Sequence, residues 1–547
     1  MALTDVRPAP PRAEAPDRPT RSFLSNPWLM LLAVAGLLLT YGWTFLLHPT
    51  LVAPTRDPAW YTWRANLLLH APPDAIVRNW GPFGMFSGGY RVTTPVLGAL
   101  LMRVAGVSRF TFSILFMVGV PILASLAISA FAYRHRRDPL LFLLTLFAGG
   151  ALFLTTPYVG YMDNITCLFI LGMTLPFFRA ARTSWGARTA LMLLLFLATM
   201  THPTTLAIFV AVLVAGAGLH LLTSRFSIKK VLEADGPTLI SCAVGVVVGF
   251  AFWKIGLWGV KAPFADAALP PPYPSSVFKA NTAQWVMALK PIVLGPLLAI
   301  AIGTIAATAV RRREPADEYH RMPLLWMLPY LGCFGFLAGL TYPYYRFMNT
   351  TIAIMVLAGM GAWVASRFLL RRFRAAGVLG VIAVMAGFGF ILASGLPQWT
   401  STAPTARWLD DNSRAALASV DAYVQAEPHD QPVLFIIDYQ DSRKAWGWAK
   451  TYSNASRAGL TGDAVLRSIV YFGNVNDYFA FHPSHGSDPV FNKASRGFFR
   501  DAERRISRYP RAPSVFLVGR FNQGTSNAGW TSHQPSVVGG AGPTVTV

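Results

Sequence analysis

The sequence predicts a mainly α protein: a polytopic transmembrane helix bundle of about eleven spans. Two interfacial helices in the first outer loop and a small C-terminal extracytoplasmic α/β domain complete the expected fold class. Three observations predict it. Hydrophobic residues make up 53% of the 547 and charged residues only 13%, with mean hydropathy +0.42, a balance that excludes an ordinary water-soluble globule. The net charge of +22 falls largely in short basic clusters between apolar runs, which is a topology signal rather than a nucleic-acid footprint. From residue 396 onward the chain turns polar and acquires strand-like runs.

The first 25 residues, rich in Pro, Arg and Ala, are expected to form a disordered cytoplasmic tail. No small-residue cleavage site follows the first apolar run, so that run reads as an anchor. The transmembrane domain is expected over 26–395, with apolar spans at 27–47, 109–133, 139–156, 164–180, 188–201, 204–222, 237–258, 291–310, 323–341, 350–368 and 375–395. With the N-terminus in the cytoplasm, alternation brings five basic clusters inside: Arg134 to Arg137, Arg179 to Arg188, Arg225 to Lys230, Arg311 to Arg313 and Arg367 to Arg374. The same alternation puts Asp57, Asp163, His202, the 259–288 loop and Arg346 outside.

Residues 94–106 are too short a run to cross and carry Arg103, so they read as an interfacial helix on the outer leaflet. Residues 59–70, with Trp60, Tyr61 and Trp63 among polar Arg64 and Asn66, form its expected companion. Residues 396–535 read as the soluble domain, with strand-like runs at 432–437 and 514–519 and helical stretches near 405–425 and 443–458; 536–547 read as a disordered tail. Cys167, Cys242 and Cys333 all fall in apolar spans, so neither a structural disulfide nor a thiolate metal site is expected. The chain contains no internal repeat, P-loop, dinucleotide fingerprint or metal-binding His pair.

A carboxylate at a bilayer boundary is costly unless it is solvated, paired or in use, and Asp57 and Asp163 both sit at the outer boundary. Asp57 lies in Thr55-Arg56-Asp57-Pro58-Ala59-Trp60-Tyr61, at the depth where a base or cation ligand would meet a lipid headgroup. Asp before Pro is equally a common helix start, and the two readings are compatible. Asp163, followed by Asn164, could cap the next span or face the same polar cavity. Arg346, in Tyr342-Pro343-Tyr344-Tyr345-Arg346-Phe347, is an outward guanidinium among aromatics, suited to bidentate contact with a phosphate or to snorkelling to the headgroups. His202, in Thr201-His202-Pro203, either donates to a phosphate or sugar or terminates the helices beside Pro203.

The order of these motifs is similar to that of the GT-C superfamily of integral-membrane glycosyltransferases. It runs from one span to the loop Asp57 to Tyr61, then two surface helices and Val107-Ser108-Arg109-Phe110 opening a span that ends in Tyr133-Arg134-His135-Arg136-Arg137. A loop ending in Asp163 and the Thr201-His202-Pro203 junction follow. The chain especially resembles the aminoarabinose lipid A transferases and protein O-mannosyltransferases over roughly residues 25–400. Two positions depart from the family pattern: Pro58 follows Asp57 where many relatives carry a second acid, and His202-Pro203 stands where aminoarabinose-type relatives often carry Lys-Gly.

The resemblance implies inverting transfer of a sugar from a polyprenyl-phosphate donor to a glycan, lipid or protein acceptor at the outer face of the plasma (inner) membrane. Asp57 would be the base or cation-linked carboxylate, Asp163 a second catalytic acid shaping the acceptor or cation site, and Tyr61, His202, Tyr345 and Arg346 substrate-binding residues. The reading requires no cofactor, admits a divalent cation, and has membrane lipids but no nucleic acid as partners. The same charges fit a polytopic transporter or lipid-linked-sugar flippase without transferase activity, although repeated halves and matching broken spans are not seen. A non-catalytic partner in envelope assembly is the third reading.

Overall fold

The computed structural model describes residues 31, 34–35, 56–70, 92–155, 162–256, 291–312, 324–328, 350–400, 421–422, 424–437, 460, 462, 464–472, 506–511 and 514–518. The expected tails 1–25 and 536–547, most of the first span, the 259–288 loop, and Tyr345 and Arg346 lie outside them. So do Cys333, most of the 323–341 span, and most of the helical stretches expected near 405–425 and 443–458.

Among the described residues, α1 (Arg56–His70) and α2 (Thr93–Ala105) come before the bundle. The bundle is built from α3 (Arg109–Arg136), α4 (Pro139–Thr155), α5 (Met162–Thr174), the short α6 (Phe177–Ala180), α7 (Trp185–Thr201) and α8 (Pro203–Thr223). It continues through α9 (Ile228–Gly256), α10 (Pro291–Arg312), α11 (Thr351–Arg372) and α12 (Arg374–Thr400). Apolar runs form these helices because hydrocarbon offers the backbone no hydrogen-bond partner, and a helix satisfies its own groups. Side-chain caps set several ends: Ser108 Oγ accepts from Thr111 N–H, and Ser184 Oγ from Ala187 N–H. Arg137, left-handed at φ 51°, closes α3 through its N–H to the Tyr133 carbonyl.

Those expected spans that fall within the described residues coincide with helices of shifted ends. The 164–180 span is divided into α5 and α6 at Leu175-Pro176, and the 237–258 span begins earlier, at Ile228. Ile228–Phe252 and Thr351–Arg372 are each long and apolar enough to cross a membrane, at mean hydropathies of 1.6 and 1.8. The surface of the bundle is inverted relative to a soluble protein. Leu193, Val214, Ile240, Val247, Leu379 and Phe390 are each 59–66% exposed, while Ser125, Ser129, Thr145 and Thr199 are buried. Such an apolar outer face suits lipid rather than water.

Small residues set the close helix contacts. Gly245 and Gly249, one turn apart on α9, lie against α7: a Cβ at Gly245 would strike the Met192 carbonyl, and one at Gly249 would come within 2.6 Å of Thr199 Cβ. Gly361 on α11 meets the Leu297 carbonyl of α10 in the same way. At the end of the bundle carrying the basic clusters, Asp138 Oδ1 accepts from Leu140 N–H while Oδ2 accepts from Trp363 Nε1 and from Arg367, pinning α4 to α11. Asp235 of α9 pairs with Arg182 at 2.9 Å and His220 at 2.6 Å, tying α9 to the α6–α7 turn and the end of α8.

The expectation for the first loop needs one correction. α2 is half in contact with the bundle and exposes Val96, Leu97, Leu100 and Val104, an apolar stripe suited to an interface. α1 instead is enclosed: Tyr61, Thr62, Trp63, Arg64, Ala65, Asn66 and Leu67 are all buried. It packs against α2, α3 and α5 on one side and against a segment from the C-terminal part of the chain on the other. Asn66, one of the polar positions of the expected interfacial helix, donates its side-chain N–H to the Leu460 carbonyl of that second partner.

The C-terminal part contains a parallel sheet of β1 (Val433–Ile437), β2 (Ser468–Phe472) and β3 (Ser514–Val518), ordered β2-β1-β3, with α13 (Ala464–Arg467) entering β2. Val433 pairs with both Ser468 and Ser514, and Ile437 with both Phe472 and Val518, so the strands share one register. β1 and β3 fall within the two expected runs. Arg467, 2% exposed, donates to the carbonyls of Val424, Pro428 and Gln431, and so fastens the segment preceding β1 to β2.

Candidate active site

Two of the sequence candidates meet at the end of the bundle away from the basic clusters. Asp163 stands in the first turn of α5, where the unpaired amides and the helix dipole favour a negative charge. Its Oδ1 accepts the N–H of Asn164 at 2.9 Å. Its Oδ2 lies 3.7 Å from Nε2 of His202, and both residues are fully buried.

His202 owes its position to the residue after it. α7 ends at Thr201 because Pro203 cannot continue it, and the same proline takes the first position of α8, where its missing N–H is harmless. His202 is left extended between the two helices, at φ −153° and ψ 92°, and caps both of them. Its N–H bonds back to the Ala198 carbonyl, and its Nδ1 accepts the Thr205 N–H at 3.1 Å. Because Nδ1 accepts, the proton of the neutral ring sits on Nε2, which faces Asp163.

Thr205 Oγ1 lies 2.6 Å from the same Nδ1 and receives the side-chain N–H of Asn164 at 3.3 Å. Asp163, Asn164, Thr205 and His202 thus form a closed ring between α5 and α8, all buried. One turn below Asp163, the Cys167 thiol approaches the Ala198 and His202 carbonyls at 3.7 and 3.9 Å, sealing the floor of this junction. The helix-capping and site readings of both residues are therefore compatible: the atoms that cap the helices also hold the carboxylate and imidazole face to face.

The first-loop helices adjoin this ring. α2 begins beside His202, with the Val92 N–H donating to the Met200 carbonyl at 3.0 Å and Thr93 Oγ1 to that of Leu197 at 3.1 Å. α1 carries Asp57 in its first turn and contacts α5. Tyr61, one turn after Asp57, is fully buried in the same apolar cluster as Phe112, Phe116, Met162 and Ile165. Tyr345 and Arg346 lie outside the described residues.

Among the described residues, the donor set for a divalent cation is incomplete here. Among the described residues no three of His, Cys, Asp and Glu gather as a cage. His202 Nε2 faces the Asp163 Oδ2 that a cation would take, at 3.7 Å, longer than a hydrogen bond. A cavity of about 80 Å³ lined by Phe131, Phe178, Val212, Arg182 and Asp235 lies at the other end of the bundle, remote from this chemistry.

Known structures supply an independent comparison. ArnT from Cupriavidus metallidurans in the apo state is similar over 89% of this chain and 89% of its own, at 13% identity and a TM-score of 0.50. The chain has the fold of ArnT. ArnT bound to undecaprenyl phosphate is similar over 89% of this chain and 90% of its own, at 13% identity and a TM-score of 0.49. No protein-family model and no curated protein sequence matches the chain.

At the level of fold, the GT-C resemblance read from the motif order agrees with the ArnT comparison. Thr205 was not singled out in the sequence, nor was Asn164 beyond its capping role. The signal was present: Thr205 stands three residues after His202, the spacing at which an N-cap side chain meets a backbone amide.

Proposed function

We propose that this chain is an integral-membrane glycosyltransferase that moves a sugar from a polyprenyl-phosphate donor to an acceptor hydroxyl at the outer face of the membrane, with inversion. The observation that carries the reading is the meeting of Asp163 and His202 in one buried junction, with the Asp57 helix packed against it, within a GT-C fold. In this orientation the basic clusters face the cytoplasm and the Asp163 end faces outward.

A polyprenyl-phosphate sugar is already activated, so the protein has two tasks: to take the acceptor proton and to stabilise the departing phosphate. Asp57 removes the proton from the acceptor hydroxyl, whose oxygen then bonds to the anomeric carbon. The bond from that carbon to the phosphate oxygen breaks, and the polyprenyl phosphate leaves with the electron pair. Arg346 and Tyr345 contact the phosphate, and Tyr61 lines the approach from α1. Asp163, held by Asn164 and His202, shapes the acceptor side.

The test is an incubation of purified protein in liposomes with radiolabelled polyprenyl-phosphate sugars and a mixture of envelope glycan and lipid acceptors. Release of free polyprenyl phosphate with labelled acceptor supports the transferase. Passage of the intact lipid-linked sugar across the bilayer, with no bond cleaved, supports the flippase in its place.

A further inference from the structure

Resting on the transferase reading, we infer that Thr205 and Asn164 are positioning residues for Asp163, acting through the orientation of the His202 ring. The argument is a chain of donors. Asn164 Nδ2 donates to Thr205 Oγ1, which has its own proton left to give, and Nδ1 of His202 is 2.6 Å away. The Thr205 backbone N–H is directed at the same nitrogen from 3.1 Å. Two donors converging on Nδ1 keep the proton off it and place the proton on Nε2, 3.7 Å from Asp163 Oδ2.

The opposite tautomer would turn a lone pair toward a buried carboxylate, which is repulsive where no water can intervene. Asp163 is held on its other oxygen by the Asn164 N–H, so one residue anchors both ends of the ring. The Asn164–Thr205 and Thr205–His202 bonds tie α5 to the start of α8 and set the face that His202 turns toward Asp163. The machinery on the acceptor side therefore includes a hydroxyl and an amide that touch no substrate.

Thr205→Val keeps the shape and removes the hydroxyl, and Thr205→Ser keeps the hydroxyl. The readouts are kcat and KM with a polyprenyl-phosphate sugar, and the 15N spectrum of histidine-labelled full-length protein, with His202 assigned by difference against His202→Asn. The expected result is a wild-type ring protonated at Nε2. Thr205→Val lowers kcat by about tenfold or more with KM nearly unchanged, while the Thr205 backbone N–H keeps the ring protonated at Nε2. Thr205→Ser stays within about threefold of wild type. A Thr205→Val protein with wild-type kcat, a Thr205→Ser protein as slow as Thr205→Val, or a wild-type ring protonated at Nδ1 would each overturn the inference. Should Thr205→Val fail to fold, Asn164→Ala carries the same expectation of a lowered kcat at nearly unchanged KM, and a wild-type kcat in that variant overturns the inference. A wild-type protein without turnover defeats the transferase reading alone, and the 15N spectrum of His202 still decides the ring.

Discussion

Asn66 Nδ2 donates to the Leu460 carbonyl at 2.7 Å, joining α1 to a segment nearly 400 residues later in the chain. α13, four residues beyond Leu460, packs on the same helix. The helix that bears Asp57 is thus clasped between the bundle and the C-terminal part.

Replacing Asn66 with Ala leaves the buried Leu460 carbonyl without this donor. The cost is about 1–3 kcal/mol, and the clasp on α1 loosens. The apparent unfolding midpoint in detergent falls, and transfer falls with it, because Asp57 sits on the loosened helix. An unchanged midpoint and rate would show that the C-terminal part does not support α1.

Arg467→Met removes three hydrogen bonds to the Val424, Pro428 and Gln431 carbonyls. The expected loss is about 3 kcal/mol or more, confined to the C-terminal part, since each bond has a charged donor. Limited proteolysis in detergent detects it as faster cleavage after residue 400, with the bundle intact. Arg467→Lys does not restore resistance, because one ammonium cannot span three carbonyls held by a planar guanidinium.

Gly245→Leu forces α9 away from α7, since the first added carbon already collides with the Met192 carbonyl. The variant is expected to lose about 1–3 kcal/mol and to displace the α7 end that carries His202. Gly303→Ala on α10, where a Cβ meets nothing within 4 Å, is the control and keeps or slightly raises the midpoint. Equal behaviour of the two variants would contradict the close-packing account.

Much of this was legible in the sequence, for physical reasons. Helices form where hydropathy is high, which is why α3 to α12 fall near the expected apolar runs. The break at Thr201-His202-Pro203 follows from the chemistry of proline. Other features depend on partners distant in sequence. α1 reads as an interfacial helix because aromatic residues alternate there with polar Arg64 and Asn66, and the Leu460 segment that receives Asn66 is nearly 400 residues away in sequence. β2 was passed over although Ser468-Ile469-Val470-Tyr471-Phe472 is rich in strand formers, because five residues following a helical turn carry little periodicity. The pairing of Asp163 with His202, 39 positions apart, is set by how α5 packs against α7, which no local pattern records.

The most direct test of a single working site is a comparison of initial transfer rates for Asp57→Asn, Asp163→Asn and the double variant, all as folded full-length protein. Each single substitution is expected to lower kcat by about 10²-fold or more. Residues that act as one unit do not lose rate independently, so the double variant should be no more than a few-fold slower than the slower single one. A double variant whose loss equals the product of the two single losses, or an Asp57→Asn protein at wild-type rate, would contradict the account.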